Sequence, residues 1–419
     1  MRAHRRDFLK STLAASSLIS FGAATVPSFL GRSARAAADS GKGDDRVLVV
    51  VQLLGGNDGL NTVVPHGMDG YHQARRVLRL PAGSLHKITN DMGLHPSMGR
   101  LAQLLNEGRV SVVQGVGYPN PDRSHFRSME IWESARLEQG ATETGWLGRA
   151  LDTAPERPGG DVPAMHVGVR SLPIALRARR GEVPSLETLE DYRLRFVDGD
   201  PAGRRAAING MARLDPGSDG DDALLGFLRR CTLSAYESSR RLEEVVPSKA
   251  SKGANYPGSG LAKRLAMIAG LIKAGFGTRI YYTALDGFDT HARQLGPHAA
   301  LLGELSEAIA AFHADLAGAG QADRVALLTF SEFGRRVAEN ASMGTDHGAG
   351  APLFVVGPVT QPGLVGAHPA LDNLDDGDLI HHTDFRRVYA TMLEPWLGLP
   401  AAPIIGAGFP PLRLLPDHS

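Results

Sequence analysis

Two acid–histidine pairs stand late in the chain, Asp289-Thr290-His291 and Asp346-His347. Each follows a run that reads as a β-strand and sits among small or turn-forming residues. Carboxylate oxygens suit hard divalent ions, and imidazole shifts the preference towards zinc or another first-row metal. Asp58, in the tight loop Gly55-Gly56-Asn57-Asp58-Gly59, offers a further oxygen. Glu332 and His382 are additional candidate ligands, and Ser124 a candidate nucleophile. Arg123 and Arg127 flank that serine, where a guanidinium fork could hold phosphate or sulfate in two bonds. Two metal ions about 4 Å apart could bind the attacking and leaving oxygens of a phosphoryl transfer. Each residue also has a plainer reading. Asp58 is a turn-former, Asp289 a helix cap, Asp346-His347 a polar loop, and Ser124 an N-cap. Glu332 can pair with Arg335 or Arg336, while His382 and Arg127 can be surface residues.

The elements around these residues alternate strand and helix. Val47–Leu54 is an apolar run with one glutamine, as expected for a strand buried on both faces. Leu94–Asn106 has helical spacing stopped by Gly108, and Val110–Val116 is a second buried strand. Pro119–Arg123 forms a turn, and Ser124–Arg136 can be helical. Leu261–Ala274 and Pro297–Leu316 read as helices, and Arg279–Leu285, Arg324–Phe330 and Leu353–Val356 as strands. Thr383 or Asp384 can cap a final helix reaching Leu397. This order predicts an α/β fold. Ligands in such sheets collect at the carboxyl ends of strands, where the candidates fall. Residues 155–260 are less regular, with a possible helix at Leu224–Glu244, and read as a cap or insertion.

The N-terminus reads as a targeting segment. Arg5-Arg6-Asp7-Phe8-Leu9-Lys10 is a twin-arginine pattern, followed by an apolar stretch and by Ala34-Arg35-Ala36, where a signal peptidase would cut. The expectation is a signal over residues 1–36, export by the twin-arginine machinery, and a periplasmic or secreted mature chain of residues 37–419. That mature chain carries 39 basic and 44 acidic residues, which argues against nucleic acid as a partner. A lone Cys231 excludes an internal disulfide and a thiolate metal cluster. No other segment reaches the length of a permanent membrane span.

Taken together, the motifs Leu54-Gly55-Gly56-Asn57-Asp58-Gly59-Leu60-Asn61, Arg123-Ser124-His125-Phe126, Gly287-Phe288-Asp289-Thr290-His291, Ser331-Glu332-Phe333-Gly334-Arg335, Gly344-Thr345-Asp346-His347-Gly348 and Thr383-Asp384-Phe385-Arg386 resemble the markers of the bacterial domain-of-unknown-function family 1501. The likeness spans nearly all of the mature chain. That family looks like a branch of the alkaline phosphatase and sulfatase superfamily, so the resemblance implies an alkaline phosphatase-like three-layer α/β/α sandwich on a mostly parallel central sheet. By the same analogy Asp58 matches the first metal-ligand aspartate and Ser124 the nucleophile. Asp289 and His291 match the ligands of one metal, and Asp346 and His347 a pair split between two. His382 matches the last histidine, and Glu332 a magnesium-like position. The implied cofactor is a divalent metal: zinc, magnesium, manganese or calcium. The gap between Asp289 and His291 is shorter than the superfamily's usual spacing. Ser124-His125-Phe126-Arg127 also lacks the x-Pro-x-Arg that formylglycine sulfatases need after their Cys or Ser.

The functional expectation is an exported, metal-dependent hydrolase of a small anionic phosphate or related ester. Two alternatives stand beside it: a non-catalytic envelope binding or assembly protein on the same fold, and a sulfatase or phosphonate hydrolase without formylglycine.

Overall fold

The computed structural model describes residues 46–141, 143–154, 163–168, 171–180, 183–186 and 255–417, with a short backbone bridge between 19–20 and 195–196. Apart from residues 19–20, the expected signal segment lies outside the described residues, as do Cys231, the helix at Leu224–Glu244 and most of the expected cap.

Nine strands form the central sheet. In chain order they are β1 (Val47–Leu54), β2 (Val110–Gly117), β3 (Ala164–Val167), β4 (Ser185–Leu186), β5 (Ile280–Asp286), β6 (Val325–Phe330), β7 (Ala351–Val356), β8 (Gly363–Val365) and β9 (Thr383–Asp384). Across the sheet the order is β8-β2-β7-β6-β1-β5-β3-β4, with β9 also on β2. β1 runs parallel to β5 and β6 through continuous registers, Leu48 opposite Ile280 and Ala326. β7 pairs antiparallel with both β6 and β2 and is the reversed strand among those described. Its start therefore lies at the edge where β1, β2, β5 and β6 end, which gathers five loop ends in one place.

Side chains alternate across β1. Val47, Val49, Val51 and Leu53 enter one apolar cluster, and Leu48 and Val50 enter another. The first cluster is closed by helices Gly99–Asn106, Gly260–Lys273 and Leu295–Gly318. The second is closed by His125–Ser134, Trp146–Thr153, Phe385–Thr391 and Ala401–Ile405. These are labelled in chain order: α1 (Gly99–Asn106), α2 (His125–Ser134), α3 (Trp146–Thr153), α4 (Gly260–Lys273), α5 (Leu295–Gly318), α6 (Phe385–Thr391) and α7 (Ala401–Ile405). Helices thus cover both faces of a mostly parallel sheet, and the expected α/β/α sandwich is what the structure shows.

Local signals act where expected at several ends. Gly108 stops α1 with φ +74°, which a glycine adopts at little cost. Asp384 caps α6, its Oδ1 accepting the amide of Arg386 at 2.9 Å. Beyond α6 the chain continues as a π turn, Met392–Trp396, containing Pro395. No helix among the described residues is long and apolar enough to cross a membrane.

Candidate metal centre

Three imidazoles and one carboxylate meet at the carboxyl edge of the sheet. His125 opens α2 after β2, Asp289 and His291 follow β5, and His347 precedes β7. The Nε2 atoms of His291 and His347 lie 3.0 and 3.2 Å from Asp289 Oδ1. His125 Nε2 lies 3.5 Å from Asp289 Oδ2, and the two Nε2 atoms of His291 and His347 are 2.9 Å apart. His125, Asp289 and His347 can each offer a ligand atom within 4.8 Å of the others.

The opposite nitrogen of each ring fixes its tautomer. His347 Nδ1 faces the carbonyl of Arg123 at 2.7 Å. A carbonyl only accepts, so Nδ1 donates and the neutral ring presents a lone pair at Nε2. His125 Nδ1 donates to Glu332 Oε1 at 2.9 Å, and His291 Nδ1 faces Asp346 Oδ1 at 3.3 Å. Three Nε2 atoms therefore lie around one carboxylate; without an ion they can donate to it, and deprotonated they would offer lone pairs to an ion, His125, Asp289 and His347 being the three mutually within reach. At 2.9 Å the two Nε2 atoms of His291 and His347 share a hydrogen bond when one ring carries its proton there, and both can turn to a cation when neither does. This donor set fits a divalent first-row ion, and the carboxylate or carbonyl behind each imidazole is the usual orienting partner of a metal-bound histidine.

Electrostatics separate the members. Glu332's hydrogen bond raises the His125 pKa against the opposing effect of burial. Burial lowers that of His347, outweighing its bonds to Arg123 and Asp289. Burial also pushes the Asp289 carboxyl up, but bonds from Arg335 and His347 overcome it and hold it at about 2. Asp289 is thus anionic at any ordinary pH. It is 47% exposed, so solvent or a substrate reaches the cluster.

Buried groups hold the loops in place. Arg335 donates through Nε to the Gly56 carbonyl at 2.8 Å, through Nη1 to Thr345 at 2.7 Å, and through Nη2 to Asp289 Oδ1 at 2.7 Å. Glu332 Oε1 also accepts the Gly55 amide at 2.8 Å, so one carboxylate orients His125 and pins the first loop. Gly55 has φ +113°, and a Cβ there would lie 2.4 Å from the Asp289 amide. At Gly56, φ +80°, a Cβ would meet the Phe333 ring at 2.3 Å. That ring packs against His125 and His347, with centroids 4.9 and 4.5 Å away. The glycine pair lets the first loop pass beneath the cluster.

The expected residues separate into those the cluster takes and those it leaves. Asp289, His291 and His347 converge. Glu332 and Asp346, expected as ligands, instead orient His125 and His291. Asp58, expected as the first ligand, is buried and forked by Arg75, with Oδ2 2.6 Å from Nη1 and Oδ1 3.0 Å from Nη2. Gln294 Nε2 also donates to Oδ2. Burial opposes ionisation, but Arg75 and its hydrogen bond prevail and lower the Asp58 pKa. With both oxygens committed, Asp58 forms a structural ion pair in this structure. His382 faces the Ala367 carbonyl at 2.7 Å and the Thr383 hydroxyl at 3.0 Å, and no hydrogen bond joins it to the cluster among the described residues. Arg127 turns to Glu130, 2.8 Å away, and to the Leu137 carbonyl, not to an anion beside Ser124. Ser124 is exposed at the N-cap of α2, one residue before His125, and its side chain makes no capping bond.

His125 joins the cluster although the motif reading gave it a strand-end position and no ligand role. It stands beside Ser124 after β2, and that position was its available signal. Arg75 carried no signal, because it stands 17 positions after Asp58, beyond two short helices and a two-residue strand.

An α/β/α sandwich with imidazole and carboxylate donors at the carboxyl edge of its sheet defines a candidate metalloprotein. The profile of the DUF1501 family, proteins of unknown function, matches residues 45–399, and the chain belongs to that family. Among solved structures the fold is similar to the lipoteichoic acid synthase LtaP from Listeria monocytogenes, at 10% identity and TM-score 0.34, covering 85% of this chain and 73% of that one. It is similar to the PsFucS1 sulfatase from Pseudoalteromonas sp., at 11% identity and TM-score 0.36, covering 82% and 68%. It is also similar to alkaline phosphatase from the Antarctic bacterium TAB5, at 11% identity and TM-score 0.28, covering 76% and 92%. No curated protein matches the sequence.

Proposed function

We propose that the protein is an exported metal-dependent hydrolase of small anionic esters, phosphate or a related oxyanion, working at the His125–Asp289–His291–His347 cluster. One observation carries the reading: three imidazoles, each oriented through Nδ1 by an oxygen, turn their Nε2 atoms towards one anionic carboxylate. These four residues would hold one divalent ion, zinc or a first-row neighbour. Such an ion supplies Lewis-acid charge for an ester oxygen and lowers the pKa of an oxygen nucleophile.

The chain's own groups set the rest. Ser124 carries the nucleophilic hydroxyl, exposed beside His125 at the start of α2. Glu332 keeps the His125 Nδ1 proton in place, and the Arg123 carbonyl does the same for His347. Arg335 keeps Asp289 ionised. The Arg123 guanidinium is engaged by Asp376 at 2.9 Å and Asp378 at 2.7 Å. The twin-arginine pattern places the mature protein in the periplasm or outside the cell in this reading.

A second reading has its own observation. Asp58 and Arg127, two residues expected at the chemistry, are committed elsewhere, which favours a metal-holding binding protein without turnover. The metal-restored protein assayed on aryl phosphate, sulfate and phosphonate esters separates the two. Hydrolysis that Ser124→Ala abolishes while metal content stays constant supports the first. Unchanged turnover in that variant removes the nucleophile assignment, and no turnover on any ester at full metal loading supports the second.

A further inference from the structure

A cavity of about 600 Å³ opens at the far end of α2 from the metal cluster, lined by Arg136, Arg149, Arg179 and Arg180 with Glu143 and Asp152. α2 has 10 residues, so the two places stand roughly 15 Å apart along its axis. Arg149, on α3, uses its whole fork on carbonyls: Nε to Ile404 at 2.6 Å, Nη1 to Thr144 at 2.9 Å, and Nη2 to Ser134. No carboxylate pairs with it among the described residues. Asp152, one turn along α3, spends its two oxygens on the backbone amides of Arg179 and Arg180, each at 2.9 Å. That clamp sets both side chains at the cavity. Glu143 meets Arg179 at 3.5 Å, with both side chains largely exposed.

Among the described residues, four cations against two acids give the lining an excess of two positive charges. Such a concentration is unfavourable in the free protein. Burial, and then the nearby charges of Arg136 and Arg179, lower the Arg149 pKa to about 10. An anion relieves this repulsion, and guanidinium forks match tetrahedral oxyanions in paired hydrogen bonds. The space exceeds what a single inorganic phosphate fills.

We propose that this cavity is a binding site for a small polyanion bearing phosphate- or sulfate-type groups, separate from the metal centre. Isothermal titration of the full, metal-loaded chain at constant ionic strength tests it, with inorganic pyrophosphate and inorganic sulfate as probes. The expected result is a saturable pyrophosphate site apart from the metal centre, weakened at least tenfold in R136Q/R179Q. Both residues lie outside the core, and Arg149 is left intact because its bonds hold three backbone segments. Binding should persist in H347A, which removes a metal ligand, and in R76Q, which removes an exposed charge elsewhere. Sulfate should compete more weakly. The proposal is overturned by the absence of saturable binding, by equal weakening in R76Q and R136Q/R179Q, by loss of pyrophosphate binding in H347A, or by sulfate binding the tighter.

Discussion

Replacing Asp58 by Asn separates a structural role from a metal-binding one. Both members of the Asp58–Arg75 pair have fully buried side chains. Asn keeps the shape but removes the charge, leaving the guanidinium uncompensated in a dry interior. Removing one partner of a buried pair costs about 3–5 kcal/mol. Arg75 retains its bonds to the Val337 carbonyl at 2.7 Å and the Arg336 carbonyl at 2.9 Å, which favours the lower end. At about 2.1 cal/mol/K per residue, a unit the size of residues 45–399 has an unfolding entropy of about 0.7 kcal/mol/K. Tm should fall by about 4–7 °C by differential scanning calorimetry. Elemental analysis of the folded variant should find the same metal content as wild type. An unchanged Tm with lost metal would refute the reasoning and make Asp58 a ligand.

Other consequences follow from the same contacts. Glu332→Gln replaces the anionic acceptor that fixes His125 by a neutral amide, so metal affinity should fall about 10- to 100-fold by competition with a chromophoric chelator. Gly55→Ala should be strongly destabilising in urea unfolding, because its Cβ would enter the Asp289 backbone. Stability should decline as pH falls from about 6.5 towards 4. Burial lowers the folded pKa of His95 and His298 to about 4, so below 6.5 the unfolded chain binds protons that the folded one refuses. The slope should approach about 1.4 kcal/mol per pH unit for each residue, and replacing His298 by an uncharged residue should flatten it in pH-resolved denaturation.

The sheet was legible because its central strands are buried on both faces, and the apolar runs at Val47–Leu54, Val110–Val116 and Arg324–Phe330 leave little room for another element. The ends of the predicted strands and long helices move by at most five residues: α1 starts five residues later than predicted, while α5 and β7 are each longer. The direction of β7 was not legible, since periodicity carries no orientation. Short α3 was missed too: Trp146–Thr153 has two turns and no capping side chain to announce it. At the site, residue type and loop position picked out Asp289, His291 and His347, which the structure brings together. They could not separate ligands from the groups that orient ligands, because a carboxylate serves either use. Glu332 and Asp346 fell on the orienting side, and Asp58 found a distant arginine that no local pattern links to it.

Metal stoichiometry with ligand identity tests the central claim most directly. Protein purified without chelator and restored with zinc should hold one ion per chain by elemental analysis. Its K-edge absorption spectrum should show a shell of nitrogen and oxygen containing three imidazoles, and H347A should lose the ion. Failure to retain zinc after gel filtration, or a shell without imidazole, would contradict the account.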